Sequence, residues 1–332
     1  ISRDEMTEEI LGSPIFERLH VQYGSREKFH QYALSKLRPI QGNLFAHKDE
    51  LGMQKADLAK MAANGGIDIV FHCAATVDFT ERIDRAIAIN ILGPMKLFEI
   101  AAQSWKVGVF IHVSTAYVNA NRPSGSTIWE RVYPLDFDPY ELIRSVSGDK
   151  TEIQLEKITT QALGTYPNTY TLTKAIAEVL LTLRRKTLMV PLHIVRPTII
   201  GAAFREPCPG WIDSVSAAAA VFMTGGLGML SVMPGNPKNL GDIIPVDHVA
   251  NHLIYAATDS FGDRSKCYVS HSSTSTSNPA NWRQHMMLFD HFKKFQCPHR
   301  IAPCTFRMVQ NPQQFQLEWF LRYTLPSSTY RT

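Results

Sequence analysis

The sequence predicts an α/β protein built on a doubly wound parallel sheet, and three observations carry that expectation. Short apolar runs rich in β-branched residues recur along the chain, each ending in small or hydroxyl-bearing residues. Segments of helical periodicity separate them. Between the second and third of these runs, Tyr170 and Lys174 stand one helical turn apart. Ligands of open α/β sheets sit at the carboxyl ends of the strands, so the residues there are the first candidates for function.

The elements follow in order. Residues 4–19 have the pattern of an amphipathic helix. Residues 67–72 form a first strand that runs into Cys73, Ala74 and Ala75, whose small side chains permit close approach of a ligand. Residues 82–105 are helical, and Pro94 within them predicts a kink or restart because proline removes a backbone donor. Val109–Val113 is a second buried strand that delivers Ser114 and Thr115 at its carboxyl end. Residues 171–186 are the helix of the Tyr170–Lys174 pair. Residues 192–195 are a third strand, ending at Arg196-Pro197-Thr198. Residues 214–237 carry no charge, but the most apolar part, 215–223, is too short to cross a bilayer. A buried or amphipathic helix with a glycine-rich turn at Gly225, Gly226 and Gly228 is expected instead. Residues 242–249 read as a strand leading into a helix, 270–279 as a turn or linker, and 282–295 and 315–323 as helices. One large domain over 1–260 and a smaller, truncated helical segment over 261–332 is the division this suggests.

The chemistry centres on the tyrosine and the lysine. Residues four apart on a helix share a face, so the phenol and the ammonium are neighbours. A nearby cation favours phenolate and lowers the phenol's pKa. Such a tyrosine can hand its proton to a carbonyl oxygen as a hydride reaches the carbon. Each residue by itself also fits a structural role: Ser114 and Thr115 as turn caps, Tyr170 as a half-buried helix residue, Lys174 as a surface charge and Asn90 as a local hydrogen-bonding group.

Composition narrows the partners. The five cysteines are scattered, with no metal-ligand spacing, so no metal is expected and a reducing compartment is favoured. The net charge is +4, and from Phe261 onward nine Lys and Arg stand against three Asp and Glu. That surplus suits either a solvated surface or contact with an anionic membrane or phosphates. No nucleic-acid-binding motif is present, so that partner is not expected.

The order His72-Cys73-Ala74-Ala75-Thr76-Val77, Asn90, His112-Val113-Ser114-Thr115-Ala116-Tyr117 and Asn168-Thr169-Tyr170 to Lys174 resembles an extended short-chain dehydrogenase/reductase. Three longer stretches resemble the animal fatty acyl-CoA reductases, with their male-sterility-type NAD-binding domain. They are Ile194 to Gly201, Glu206-Pro207-Cys208-Pro209-Gly210-Trp211-Ile212-Asp213 and Asp242-Ile243-Ile244-Pro245-Val246-Asp247. The resemblance runs from about Glu9 to at least Trp282.

It implies a Rossmann-like fold and an NADPH-dependent reduction of a long-chain acyl-CoA, through the aldehyde, to a fatty alcohol. Thr115, with Ser114 beside it, would bind the carbonyl oxygen, Tyr170 would donate the proton and Lys174 would hold the nicotinamide ribose. Ala74, Ala75, Asn90, Asn43, Pro197 and Thr198 would line the dinucleotide. Asn43 stands where the family often has an aspartate. The resemblance also implies a membrane-associated protein of the peroxisome or endoplasmic reticulum that faces the cytosol; it says nothing of oligomeric state. The uncharged stretch after Trp211 is a candidate wall for the acyl chain, with core packing as the alternative. An extended reductase of a nucleotide sugar or sterol, or a non-catalytic lipid- or nucleotide-binding scaffold, are the other readings. The glycine-rich turn that cradles a pyrophosphate has no counterpart in this sequence. The chain as given is therefore expected to be a fragment that binds the dinucleotide weakly.

Overall fold

The computed structural model describes residues 6–63, 66–294 and 298–325. Among them are eight strands: β1 (Ile69–His72), β2 (Val109–Val113), β3 (Leu192–Pro197), β4 (Ile199–Gly201), β5 (Val232–Pro234), β6 (Ile243–Pro245), β7 (Cys267–Ser272) and β8 (Arg307–Val309). The chain divides into two compact units, Ile1–Pro197 with Val249–Ser272, and Thr198–His248 with Ser273–Thr332. Each unit is thus made of two stretches of chain, where the sequence suggested one boundary near residue 260.

The first unit holds a four-stranded parallel sheet in the order β1-β2-β3-β7. Successive side chains of a strand point to opposite faces; β2 and β3 are buried on both and are apolar almost throughout, while β1 at the sheet edge leaves Ile69 and Phe71 exposed. Phe110, Leu192 and Ile194 pack with Phe98, Ala101 and Leu181. Val109, Ile111 and Val195 pack with Ala256 and Ala257 of the Val246–Asp259 helix. Helices on both faces of a parallel sheet make this the expected α/β architecture. The fourth strand was not anticipated: Ser270–Ser272, read from sequence as the start of a linker, continues β7 and pairs with β3 up to Pro197. Its Ser and His residues hide a strand that pairing with β3 imposes.

Two helical predictions resolve into finer pieces. The run from Ile83 to Ser104 is an α-helix over Ile83–Ile87, a π-helical turn over Ala88–Leu92 and a second α-helix over Gly93–Ser104 with Pro94 in its first turn. A first-turn proline needs no N–H donor, so the restart falls where proline is tolerated. At the amino end, the expected single helix is broken by Ser13-Pro14 into a π-turn (Met6–Leu11), a 3₁₀ turn (Pro14–Phe16) and a short α-helix (Glu17–Gln22); Asp4 lies outside the described residues.

In the second unit β4 pairs with β6, and β5 with β8, each pair parallel. The uncharged stretch supplies the Ala217–Gly226 helix, which packs on the Trp282–Lys294 helix through Phe222, Phe289 and Phe292. A Cβ at Gly225 would come within 2.5 Å of the Phe289 ring, so this approach requires glycine. Among the described residues no helix is long and apolar enough to cross a membrane. The last expected helix appears as Pro312–Trp319, continued by a π-turn to Thr324.

Two carboxylates organise the loops of this unit. Asp242 accepts from the Thr198 and Thr274 hydroxyls and from the backbone N–H groups of Thr274 and Ser275. Asp247 accepts from the N–H groups of Phe204, Arg205 and Glu206 at 2.8–3.1 Å, and so fixes the start of the Glu-Pro-x-Pro-Gly-Trp stretch. Burial alone would raise the Asp247 pKa, but these donors outweigh it and bring it down to about 2. A depressed carboxylate pKa stabilises the fold fully above the unfolded value of about 4, and that contribution is lost as pH falls toward 2. Asp247→Asn should cost about 1–3 kcal/mol at pH 7 in urea denaturation, because the part-buried bonds from the three N–H groups lose a charged acceptor. A variant that unfolds at the parent's urea midpoint would show that the carboxylate does not hold this loop.

Candidate active site

The site is assembled at the carboxyl edge of the main sheet. Register sets its level: His72 lies opposite His112, and Val113 opposite Val195. The chain therefore leaves β1, β2 and β3 on one edge, and Ser114 N–H donates to the Val195 carbonyl to hold the second exit. Cys73 to Thr76, Ser114 and Thr115, and Pro197 all emerge there.

Tyr170 and Lys174 arrive on the Thr169–Leu188 helix, started by Asn168, whose side chain accepts from the Thr171 N–H at 2.9 Å. The helix ends at Met189 in the left-handed region, with Arg185 and Lys186 in its last turn. Lys174 is 2% exposed, and its Nζ donates to the Val113 carbonyl at 2.8 Å. The Thr115 hydroxyl lies close enough to the Tyr170 hydroxyl to lower its pKa. Thr115 is buried and its Oγ1 accepts from the Tyr117 N–H at 3.3 Å, capping the 3₁₀ turn that follows. The hydroxyl, phenol and amine thus lie around the end of β2.

Between the two neighbouring hydroxyls the geometry distinguishes clearly. Thr115 reaches the phenol; Ser114 is buried with its Oγ unpartnered among the described residues.

One electrostatic expectation is corrected. The sequence suggested that the lysine would lower the tyrosine's pKa. Burial instead raises Tyr170, with the Thr115 hydroxyl opposing it in part. The Lys174 amine is committed to a backbone carbonyl, and it is the lysine that shifts: burial pulls it down to about 8, against the pull of Glu178 and Cys73. Near neutral pH this leaves a protonated phenol beside an ammonium.

Asn90, in the π-turn, is buried and gives both Nδ2 hydrogens to protein partners, the Thr76 carbonyl and the Thr173 hydroxyl, while Oδ1 accepts from the Thr76 N–H. Its side chain grips the loop after β1 and keeps only one lone pair for any ligand. Thr169 grips the same loop through the carbonyls of Phe79 and Glu81. That loop lays the Phe79 ring on Tyr170 at 5.8 Å between centroids. Asn43 is exposed and caps a local turn, accepting from the Phe45 N–H. Pro197 is the buried last residue of β3. Thr198 belongs to the second unit, where its hydroxyl binds Asp242.

His72 and His112, at strand ends before the turns of the site, are read from sequence as structural rather than as metal ligands, while Glu178 is given no role. His72 and His112 stack at 5.2 Å with their Nδ1 atoms 3.2 Å apart. Burial and then the Lys174 charge push His72 down to about 3 and His112 well below its usual range, so both rings are neutral. Glu178 and Arg196 form a fully buried bidentate pair, at 2.9 and 2.6 Å. A polar residue inside an otherwise apolar face is the sequence signal for both, since such a group is buried only with a partner.

A nicotinamide group suits this edge. Exposed Ala74 and half-buried Ala75 leave the backbone open to a flat ring, and a proton donor and a cation lie at the neighbouring strand end.

Comparison with known proteins agrees. An NAD-binding family model described as male sterility protein matches residues 4–253. Fatty acyl-CoA reductase 1 of Xenopus laevis is 41% identical over 234 residues, covering 70% of this chain and 44% of that protein. Fatty acyl-CoA reductase 2 of Mus musculus is 34% identical over 275 residues, covering 82% and 50%. The chain spans about half the length of the curated relatives it matches. Among solved structures, the terminal R domain from the myxalamid PKS-NRPS biosynthetic pathway superposes with a TM-score of 0.59 at 17% identity, over 90% of this chain and 61% of that one, a likeness of fold. The chain belongs to the male sterility protein family of NAD-binding domains.

Proposed function

We propose that the chain is the reductase domain of a fatty acyl-CoA reductase, which takes a long-chain acyl-CoA to the fatty alcohol with NADPH. The observation that carries the proposal is the gathering of Thr115, Tyr170 and the buried Lys174 amine, which bonds the Val113 carbonyl, at the end of β2. The relatives named above support the substrate class.

A reduced dinucleotide bound here would supply one hydride to the thioester carbonyl carbon, and a second one, after exchange for the oxidised form, would supply another to the aldehyde. The side chains handle the oxygen. Thr115 donates a hydrogen bond where negative charge gathers, a preorganised interaction worth more in a buried site than in water. Tyr170, kept protonated by burial, delivers its proton to that oxygen. After the first round the tetrahedral hemithioacetal expels coenzyme A and leaves the aldehyde; after the second the product is the alcohol. Lys174, held by the Val113 carbonyl, would carry the ribose hydroxyls and keep a positive charge near the phenol. Ala74 and Ala75 would face the ring.

Incubation of the full-length protein with palmitoyl-CoA and NADPH should yield hexadecanol by mass spectrometry. Absence of both hexadecanol and hexadecanal, with NADPH consumed only when a nucleotide sugar or sterol is offered, would overturn the assignment. Equal turnover with NADH would remove the preference for NADPH.

A further inference from the structure

Beyond the reacting groups, the segment after Thr115 builds an arrangement that nothing in hydride transfer uses. Tyr133 is buried, and two guanidinium groups stand on its ring: Arg122 at 4.0 Å and Arg131 at 4.8 Å from the centroid. The ring's quadrupole attracts each cation, but the two cations repel one another. Among the described residues neither guanidinium has a carboxylate within 4 Å. Arg122 reaches this place through the turn that closes on the Asn119 carbonyl.

A second observation is independent of these charges. Asn119 is buried, and its Nδ2 has no hydrogen-bond partner. It lines a cavity of about 30 Å³ together with Arg122, Tyr133, Ala175 and Glu178. Buried amide donors are ordinarily satisfied, so an orphan facing a cavity implies an acceptor there. Glu178 does not provide it: its carboxylate is paired with Arg196 and makes no hydrogen bond to the Asn119 Nδ2. Asn121 and Tyr166 line the cavity as well, the phenol kept protonated as its pKa is pushed up to about 12, so the Asn119 amide, a neutral phenol and the Arg122 cation meet there, with a second cation on the other contact to the Tyr133 ring. That set recognises an oxyanion, and a planar guanidinium is matched to phosphate.

We propose that Asn119, Arg122 and Arg131 form a phosphate subsite for the coenzyme A portion of the substrate. One phosphoryl oxygen would accept from the Asn119 Nδ2 inside the cavity, while the rest of the group stays against the exposed guanidiniums. Position along the helix agrees. Glu178 is eight residues beyond Tyr170, about 12 Å at 1.5 Å per residue, a span that a flexible pantetheine arm bridges. The assignment rests on the acyl-CoA reading for the identity of the phosphate, but the geometry of the subsite does not.

Calorimetric titration of the full-length protein with coenzyme A, with pantetheine and with NADP⁺ tests it. Coenzyme A should bind more tightly than pantetheine, which lacks phosphates. Arg122→Gln and Arg131→Gln should each weaken coenzyme A about tenfold or more while pantetheine is unaffected, because each removes a charge-assisted contact to phosphate. Arg122→Lys should recover part of the loss, and all three variants should melt with the parent, since both side chains are exposed. Coenzyme A affinity within twofold of the parent in both Gln variants would overturn the subsite. So would coenzyme A binding no better than pantetheine, or a tenfold loss for NADP⁺ in place of coenzyme A. A protein that makes no alcohol yet binds coenzyme A through Arg122 would lose the reductase reading and keep this site.

Discussion

Tyr170→Phe should lower turnover of an acyl-CoA by the full-length protein roughly 10²- to 10⁴-fold, the contribution expected of one positioned proton donor. The change deletes a single hydroxyl. Its neighbour in the fold is Thr115, which keeps its own bond from the Tyr117 N–H, and the ring retains its contact with Phe79. Stability should therefore change little, and a loss of rate cannot be charged to unfolding. Thr115→Val should lower the rate as well, and the double variant should lose less than the two effects combined, because the two groups act on one oxygen.

The pH profile provides a separate check. Burial raises Tyr170, so the phenol stays protonated across the neutral range. Lys174 is lowered to about 8, so its ammonium is mostly present at pH 7 and is lost as pH rises past 8. The rate should therefore fall on a basic limb near pH 8. A Tyr170→Phe variant with full activity would remove the proton-donor assignment. A profile flat to pH 10 would remove Lys174 from the rate.

The second large effect concerns stability. Glu178→Gln, or Arg196→Met alone, should destabilise the first unit by about 3–5 kcal/mol, because each leaves a buried charge without its counter-ion. The pair is 2% and 0% exposed, and the Arg196 guanidinium also donates to the Arg131 carbonyl at 2.9 Å, so the loss extends to the loop over Tyr133. The double replacement Glu178→Leu with Arg196→Met should recover much of the loss, since two apolar side chains leave no charge behind. Chemical denaturation of the parent, Glu178→Leu, Arg196→Met and the double variant measures the coupling. If the single variants cost under about 1 kcal/mol, the pair is not buried in solution as described. Glu178 also supports the Lys174 ammonium, so Glu178→Gln should move the basic limb of the rate below pH 8.

Comparing elements shows where sequence reading succeeds. β2 and β3 were legible because burial on both faces writes a continuous apolar run, and β1 because its short run is apolar even where Ile69 and Phe71 are exposed. β7 was not, because its second half, Ser270-His271-Ser272, is polar throughout and the strand exists by pairing with β3. Pro94 marked the restart of its helix through one missing donor, a purely local rule. Ser13-Pro14 obeyed the same rule and was overlooked. At the site, Tyr170, Lys174 and Thr115 were placed by spacing and by strand ends. Asn90 was assigned to the dinucleotide, yet it spends its amide on Thr76 and Thr173, partners 14 and 83 residues away in sequence.

The amino acids alone determined the α/β class and the family resemblance and nominated the tyrosine, lysine and hydroxyl, because periodicity, strand ends and one-turn spacing are properties of neighbouring residues. Protonation was decided only in three dimensions. The direction of the Tyr170 and Lys174 shifts depends on how much water each group loses and on the Val113 carbonyl that meets the amine. The neutral His72–His112 stack, the Glu178–Arg196 pair and the two arginines on Tyr133 arise likewise from contacts across the fold. Solvation and charge pairing depend on distance in space, which linear order does not record.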